Sequence, residues 1–333
     1  MSVTFSGAFT FTGGGFTASL APPPSTPNAG WFVGGTDSTL GNHVSTVQRI
    51  TYATDTATAS IRGPLYDAKS AASGVGTATD GWFAGGQDSS SSITSTVQRI
   101  TYATDTATAS NRGILAYYSR AQGSTSDNTT YGWFGGGYVS GVGTSCIVQR
   151  MTYATDTATA SIRGPLSAVS RYLAAVGITT SGWFGGGINS GGLQSNVDRI
   201  TYATDTATAS VRGPLSSARY ALAATGDNTT YGWFGCGVTV PGGPSGVLSL
   251  VDRITYANDT VTASVRGPLS LARRWLNAST DNTTYGWFGA GYLPGGGLST
   301  VDRITYATDT ATAGVRGPLA APLYKPAATS GVQ

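Results

Sequence analysis

Arginine and aspartate recur at fixed positions along this chain, in a pattern that could form repeated ion pairs. The segment RITYATDTAT, or a close variant, occurs six times at intervals of about fifty residues, and a further Arg follows each copy. A group present in every copy is most simply structural, so we expect each Arg to form a fork to a carboxylate or carbonyl of the neighbouring unit. The three sets are Arg49, Arg99, Arg150, Arg199, Arg253 and Arg303; Asp55, Asp105, Asp156, Asp205, Asp259 and Asp309; and Arg62, Arg112, Arg163, Arg212, Arg266 and Arg316.

Catalytic chemistry has few candidate residues. His43 is the only histidine, and Cys146 and Cys236 fall in different copies of the repeat. Because a zinc or copper site needs several His, Cys or carboxylate ligands, we predict no metal, no cofactor and no disulfide. We expect His43 to be solvated and both thiols to be buried or half-buried. Glycosidic cleavage needs a carboxylate pair, and four Asp residues outside the turns leave that route open: Asp37, Asp67, Asp80 and Asp88.

The composition favours β-structure. All 16 acidic residues are Asp, only two of the 19 basic residues are Lys, and there are two Met, so the best helix formers are nearly absent. Abundant Thr, Val, Tyr, Trp and Gly favours strands and turns. A net charge of +3 is too small to indicate nucleic-acid binding. The first residues lack the basic and apolar regions of a signal peptide, and no segment has the length of a transmembrane helix, so we expect synthesis in a cytosol.

A second marker, GWF, has the same period as RITYATDTAT. The unit at 216–267 contains four predicted strands: a (RYALAAT), b (YGWFGCG), c (VDRITYA) and d (VTASVRG). Four antiparallel strands in about fifty residues have the size of a propeller blade. The structural tryptophans that mark strand b are Trp31, Trp82, Trp133, Trp183, Trp233 and Trp287.

The repeat resembles the kelch repeat. Paired glycines follow the aromatic residues of strand b, and V-x-R-I-T-Y-x-x-D-T-x-T follows after a loop, whereas the Trp usual in strand d of a kelch unit is replaced by TATAS[VI]RG. The resemblance implies an all-β, six-bladed kelch-like propeller over residues 30–333, with residues 1–29 as an N-terminal arm. The paired glycines are Gly34-Gly35, Gly85-Gly86, Gly135-Gly136 and Gly185-Gly186.

The first unit lacks a strand a of its own. LYKPAATSG at 323–331 aligns with ARYALAATG at 218–226, so we expect the C-terminal strand to pair with the N-terminal blade of residues 30–64. Such pairing would close the ring and remove the open sheet edges.

The loops between strands b and c vary among the copies, whereas the other turns are nearly uniform. Because the strands alternate in direction, the variable loops share a face with the starts of strand a, and loops on a rigid scaffold often bind ligands. Seven basic residues stand near those starts and either bridge blades, lie solvated, or bind an anionic group at the mouth of a central channel. They are Lys69, Arg120, Arg171, Arg219, Arg273, Arg274 and Lys325. The predicted binding residues are Arg120, Arg171, Arg219, Arg273, Tyr138 and Tyr292.

The RITYATDTATASVRGPLS units are similar to those of kelch-type tail or fibre proteins in bacteriophage virions, particularly of marine and cyanobacterial hosts. This resemblance implies a non-enzymatic virion structural protein that is released by lysis. It implies other virion proteins and a host-surface glycan or protein as partners, without nucleic acid or membrane insertion. Residues 1–29 leave from the face opposite the variable loops and are either a docking arm or an extra strand. An intracellular kelch-type interaction scaffold and a glycan-active enzyme stay open as alternatives.

Overall fold

The computed structural model describes residues 10–12, 15–17, 28–241 and 245–330, and this part of the chain is all-β with six four-stranded antiparallel sheets. In the order a, b, c, d, their strands are Ala327–Ser330, Ala29–Val33, Val47–Thr51 and Ser60–Arg62 (sheet 1); Ser73–Gly76, Asp80–Ala84, Thr96–Thr101 and Ser110–Ile114 (sheet 2); Gly123–Ser126, Tyr131–Gly135, Val148–Thr152 and Ser161–Arg163 (sheet 3); Ala174–Ile178, Ser181–Gly185, Val197–Thr201 and Ser210–Arg212 (sheet 4); Ala223–Gly226, Tyr231–Gly235, Val251–Thr255 and Ser264–Arg266 (sheet 5); and Asn277–Thr280, Tyr285–Gly289, Val301–Thr305 and Gly314–Val315 (sheet 6).

Short elements connect these strands. Each strand c runs into one 3-10 turn, and short strands in the loops pair with each other or with the segment before strand a. The 3-10 turns are Tyr52–Thr54, Tyr102–Thr104, Tyr153–Thr155, Tyr202–Thr204, Tyr256–Asn258 and Tyr306–Thr308. The short strands are Thr36–Asp37, Ser119–Arg120, Tyr138–Val139, Gly143–Thr144, Ile188–Asn189, Gly192–Leu193, Tyr292–Leu293, Gly296–Gly297 and Leu323–Tyr324.

The repeated Asp joins neighbouring sheets. Asp205 of sheet 4 accepts a hydrogen bond from the Trp133 indole of sheet 3 at 2.8 Å and from Arg150 Nη1 at 3.0 Å, and Arg163 Nε lies 3.6 Å away. Tyr202 stacks on Trp133 with ring centroids 3.8 Å apart. The same set, which we call the latch, recurs at all six junctions, and Asp55 of sheet 1 serves Trp287 and Arg303 of sheet 6. The predicted bond from the repeated Arg to a carboxylate of the neighbouring unit is therefore confirmed, as a single Nη1 contact rather than a fork.

The glycine after strand d lets adjacent sheets approach closely. A Cβ built on Gly164 would lie 2.0 Å from the carbonyl oxygen of Ala207 in the next sheet. The Gly164 amide also donates to the Asp205 carbonyl at 2.8 Å, so the backbone strengthens the latch. The repeated RG dipeptide is thus explained by close contact between sheets.

The innermost strands contact one another in a closed cycle, and backbone hydrogen bonds join the residues just before them. The Ala71 amide donates to the Lys325 carbonyl at 3.0 Å, and the Lys325 amide donates to the Trp275 carbonyl at 2.8 Å. Four further bonds complete the cycle, which we call the backbone ring. Its members are Ala71, Ala121, Tyr172, Ala221, Trp275 and Lys325, all with φ between 53° and 60°.

The C-terminal strand lies where the sequence predicted it, at the edge of the first sheet, but in a different register. Thr329 pairs with Trp31, just as Thr225 pairs with Trp233. Lys325 therefore corresponds to Ala221, and the sequence alignment of LYKPAATSG is wrong by one residue. The shared AAT of 327–329 and 223–225 coincides in the observed register, and the prediction was displaced because it aligned the glycine of 331 with Gly226.

Left-handed residues correct other predicted boundaries. Strand a of sheet 5 begins at Ala223 rather than at 219, because Ala221 has φ of 60° and breaks the extended backbone. Strand b is followed by two residues with positive φ in each copy, and in the third and fourth copies these are Gly136-Gly137 and Gly186-Gly187. The paired glycines chosen from the sequence were one residue too early in those two copies.

Gln122 is a polar residue in the core between sheets. In sheets 2–6, the residue at its position is apolar in every other sheet. Gln122 directly follows the backbone ring in sheet 3, where sheets 4, 5 and 6 have Leu173, Leu222 and Leu276. Its side chain is 7% exposed, lies against Gly85, and neither amide atom has a hydrogen-bond partner.

We expect Gln122→Leu to stabilise the protein by about 1–3 kcal/mol, because an unsatisfied buried amide carries a full desolvation cost. Urea unfolding at constant pH measures the change. Leu173→Gln is the matched control and should destabilise by a comparable amount. A Gln122→Leu chain no more stable than the parent would show that the amide is satisfied in solution.

Within the predicted N-terminal arm, Thr10–Thr12 pairs with Gly15–Thr17 as a hairpin. The structure does not describe the rest of the arm, residues 1–9, 13–14 and 18–27. Whether the arm is an anchor or an extra strand therefore lies outside the described residues. In the ranges that are described, no helix is long and apolar enough to cross a membrane.

Candidate ligand-binding site

The variable loops and the segments before strand a lie on one face, as the sequence predicted. In each sheet a residue of the segment before strand a pairs with a residue of the b–c loop, for example Arg120 with Tyr138 and Arg274 with Tyr292. The backbone ring lies beside these pairs and surrounds one end of the central space between the innermost strands. We call this end the loop-side mouth.

Arg219 and Arg273 do not face the mouth, which corrects their assignment as ligand-contacting residues. Both side chains have no exposed area, and each forms a 2.8 Å ion pair inside its own sheet, Arg219 with Asp252 and Arg273 with Asp302. A buried guanidinium held by a carboxylate cannot contact a solute without breaking that pair. Lys69 is also buried, and its ammonium donates to the carbonyls of Gly85 and Thr96.

The remaining basic residues alternate with aromatic rings around the mouth. Arg120 lies over Tyr138 at 5.2 Å from the ring centroid, and Arg171 lies 5.8 Å from both Tyr138 and Tyr172. These contacts form one half of a continuous series that we call the cation–aromatic arc. Its members are Arg120, Tyr138, Arg171, Tyr172, Lys325, Trp275, Arg274, Tyr292 and Tyr324.

Trp275 is the centre of the other half of the arc. Lys325 Nζ lies 4.4 Å and the Arg274 guanidinium 4.3 Å from its ring centroid, while Tyr324 and Tyr292 lie at 5.9 and 5.5 Å. Its indole nitrogen has no hydrogen-bond partner, unlike the six latch tryptophans. A buried indole N–H normally finds an acceptor, so Trp275 carries an unsatisfied buried donor beside the mouth.

A cavity of about 70 Å³ lies at the mouth between Tyr172, Trp275 and Lys325, with Gln122 and Asn277 on its wall. Its lining combines aromatic faces, one cation and amide groups. Aromatic faces pack against the apolar faces of flat or cyclic ligands, and convergent polar groups fix their orientation.

The arc is strongly positive for its surroundings. Burial, followed by the charges of Arg120 and Arg274, lowers the pKa of Lys325 to about 8. Across the described part of the chain, neither Arg171 nor Lys325 has a carboxylate within ion-pair distance. An anionic group placed here would gain attraction from several cations and would relieve their mutual repulsion.

His43 is half-buried rather than solvated, which corrects that expectation. Its ring nitrogens lie 3.1 Å from Thr36 Oγ1 and 3.3 Å from Ser70 Oγ, so the side chain joins the first two sheets near the mouth. Burial, then the charge of Lys325, lowers its pKa. Ser70 is 1% exposed, so this pair does not present an accessible nucleophile.

Three of the four carboxylates considered for catalysis act within their own loops or hairpins, whereas Asp67 accepts from the Gln98 side chain of sheet 2 at 3.4 Å. Asp37 and Asp88 accept backbone N–H bonds of their loops, and Asp80 accepts from Thr101 at 2.6 Å. Both thiols match expectation: Cys146 is half-buried, and burial raises the pKa of Cys236 to about 11. In the described ranges, no three His, Cys or Asp side chains gather in a way that could hold a metal ion.

Sequence reasoning found Tyr138 and Tyr292 but missed the other three aromatic residues of the arc. Tyr172, Trp275 and Tyr324 stand in segments that differ from copy to copy, so no repeat pattern identifies them. One signal was available, since Trp275 is the only tryptophan outside the six GWF copies. In comparisons with known proteins, no family model matches the chain and the search of curated proteins finds no match.

Proposed function

We propose that this chain is a non-enzymatic binding protein of a bacteriophage virion, built as a six-bladed kelch-like β-propeller, which binds an anionic glycan of the host surface at its loop-side mouth. The six four-stranded sheets, the closed cycle of backbone bonds and the latch between sheets support the propeller. The similarity of the repeats to those of kelch-type virion proteins supports the virion assignment, with residues 1–29 as the attachment arm.

The cation–aromatic arc is the observation that carries the binding role. Sugar rings present apolar C–H faces that pack on aromatic rings, and acidic sugars add carboxylates that attract Arg and Lys. Trp275 and Tyr172 would supply the packing surface, and Arg171 and Lys325 the charge. The loops that carry Tyr138 and Tyr292 differ between copies, so the mouth is asymmetric and suited to one defined ligand.

We expect Trp275→Ala to weaken binding of a galacturonic-acid tetramer by about tenfold, which is about 1.4 kcal/mol. Arg171→Gln should weaken binding by less than Trp275→Ala does. The loss caused by Arg171→Gln should be larger at low salt than at physiological salt, where exposed charges are screened within about 8 Å. Isothermal titration and adsorption to host cells measure the effect, with Tyr66→Ala, an exposed aromatic outside the arc, as the control. Wild-type affinity in both arc variants would reject this site.

Binding should also depend on pH through Lys325. Its pKa of about 8 means that the ammonium is present at pH 7 and loses its proton as the pH rises. Affinity for an anion should therefore fall between pH 7 and about pH 9. Because a bound anion stabilises the ammonium, it raises the pKa of Lys325 in the complex and shifts the midpoint of this fall to higher pH. Lys325→Arg stays charged and should remove this dependence. An unchanged profile in Lys325→Arg would exclude Lys325 as the titrating group.

A further inference from the structure

Three sheets carry a buried carboxylate at the second position of strand c. Asp198, Asp252 and Asp302 occupy it in sheets 4, 5 and 6, where the first three sheets have Gln48, Gln98 and Gln149. In each case a serine at the start of the segment after strand d donates its backbone N–H and its hydroxyl to the carboxylate. The donors are Ser167, Ser216 and Ser270.

In sheet 5 this carboxylate is part of a complete guanidinium site. Arg219 donates to Asp252 at 2.8 Å and to three carbonyl oxygens, those of Cys236 at 2.8 Å, Phe234 at 3.1 Å and Ser217 at 3.2 Å. A planar fork of N–H donors matches such an array of acceptors.

Sheet 6 repeats the same arrangement. Arg273 donates to Asp302 at 2.8 Å and to the carbonyls of Phe288 at 2.9 Å and Leu271 at 3.5 Å. The two sites share the carboxylate and two carbonyl acceptors, but Arg273 Nε has no hydrogen-bond partner where Arg219 Nε donates to Cys236.

Sheet 4 has the same acceptors without the arginine. Ser170 stands where sheets 5 and 6 have Arg219 and Arg273, and no cation of the described chain pairs with Asp198. Asp198 is 5% exposed, and burial raises its pKa despite the two bonds from Ser167. A buried carboxylate without a counter-charge is costly and is normally paired.

A small cavity of about 10 Å³, the space of about one water molecule, lies at this position. The Ser170 hydroxyl donates to the Gly186 carbonyl there at 3.1 Å, so a bound guanidinium would have to replace this bond and widen the cavity. Its lining includes Ala168, Phe184, Gly186 and Asp198, the counterparts of all four residues whose oxygens hold Arg219. In the lining of the cavity, Gln194 replaces the Leu248 and Leu298 of the other two sheets, and its amide donates to Asn189 and Gly192 of the b–c loop. This polar residue suits a site that a hydrated cation reaches from solvent.

We propose that the cavity beside Asp198 binds a guanidinium group. The ligand is either a free guanidinium compound or the arginine side chain of a partner protein, since both present the same fork of donors. Its carboxylate partner is Asp198, and the carbonyls of Gly186, Phe184 and Ala168 complete the site as their counterparts do around Arg219. The site lies within sheet 4 and is independent of the cation–aromatic arc.

The test is thermal unfolding of the full chain with ethylguanidinium, using ethylammonium as the matched cation without the fork. We expect ethylguanidinium to raise Tm saturably by about 2 °C, ethylammonium to raise it less, and Asp198→Asn to lose the response. A blocked tripeptide, Gly-Arg-Gly, distinguishes the sources: stabilisation by it indicates that a partner's arginine can enter, and its failure restricts the site to the free compound. No response to ethylguanidinium, or an equal response in Asp198→Asn, overturns the proposal.

Ser170→Arg provides a second readout that does not depend on how well Asp198→Asn folds. The new arginine should occupy the cavity as Arg219 occupies its own, raise Tm, and abolish the response to ethylguanidinium. A Ser170→Arg chain with lowered Tm and an unchanged ligand response would show that the cavity does not accept a guanidinium.

Discussion

Deleting residues 321–333 is expected to abolish folding to a soluble monomer. The deletion removes Ala327–Ser330, whose four residues pair with Gly30–Val33 at the inner edge of sheet 1. It also removes Lys325, whose backbone accepts from Ala71 and donates to Trp275, so the backbone ring opens at two bonds. Sheet 1 would then expose an unpaired edge, which favours aggregation.

Size-exclusion chromatography and far-UV circular dichroism measure the outcome. The matched control begins at Asn28, whose carbonyl accepts from the Tyr52 amide, and so loses the arm but no strand of the six sheets. We expect this control to fold with the Tm of the full chain and, under the proposed virion role, to stay out of its assembly. A C-terminally truncated chain with unchanged Tm would contradict the closed arrangement of sheets.

Asp205→Asn is expected to reduce the free energy of unfolding by about 3–5 kcal/mol, because it leaves two partly buried arginines without their shared carboxylate. The amide can still accept the Trp133 indole bond, so the loss reports on the charges of Arg150 and Arg163. Since one latch joins each pair of sheets, losing one should weaken the whole cycle rather than one sheet.

Urea unfolding measures the loss, and Asp227→Asn is the control. Asp227 accepts only backbone N–H bonds through Oδ1 in the a–b turn of sheet 5, and Asn retains that oxygen. Its effect should stay within about 0.5 kcal/mol. A loss below 1 kcal/mol in Asp205→Asn would show that the latch contributes little to stability.

The repeated residues were predictable from the sequence because their function is the same in each copy. The period alone placed the four strands, and the recurrence of Arg and Asp indicated bonds between units. The position of the C-terminal strand followed from the missing strand a before Trp31. Each of these inferences depends on features that six copies share.

Features that belong to one or two copies could not be read in this way. The burial of Arg219 and Arg273 depends on Asp252 and Asp302, which look like ordinary variants of the VQRI segment. The available signal was an Arg four residues before strand a together with an Asp in strand c, and it occurs only in sheets 5 and 6, since sheet 4 has Ser170 at that position. The arc likewise depends on the backbone ring. Strand periodicity would assign a residue such as Trp275 to a strand, whereas its left-handed backbone places its side chain at the mouth.

The most direct test of ligand binding at the loop-side mouth is a ¹H–¹⁵N spectrum of the seven tryptophan indoles during titration with the galacturonic-acid tetramer. Six indole N–H groups donate to latch carboxylates, whereas that of Trp275 has no acceptor. Trp275→Phe assigns the seventh signal by removing it. We predict that this one signal shifts saturably with the acidic tetramer and not with neutral galactose tetramer, while the six latch signals stay in place. A titration in which the Trp275 signal does not move while the tetramer binds would contradict the account.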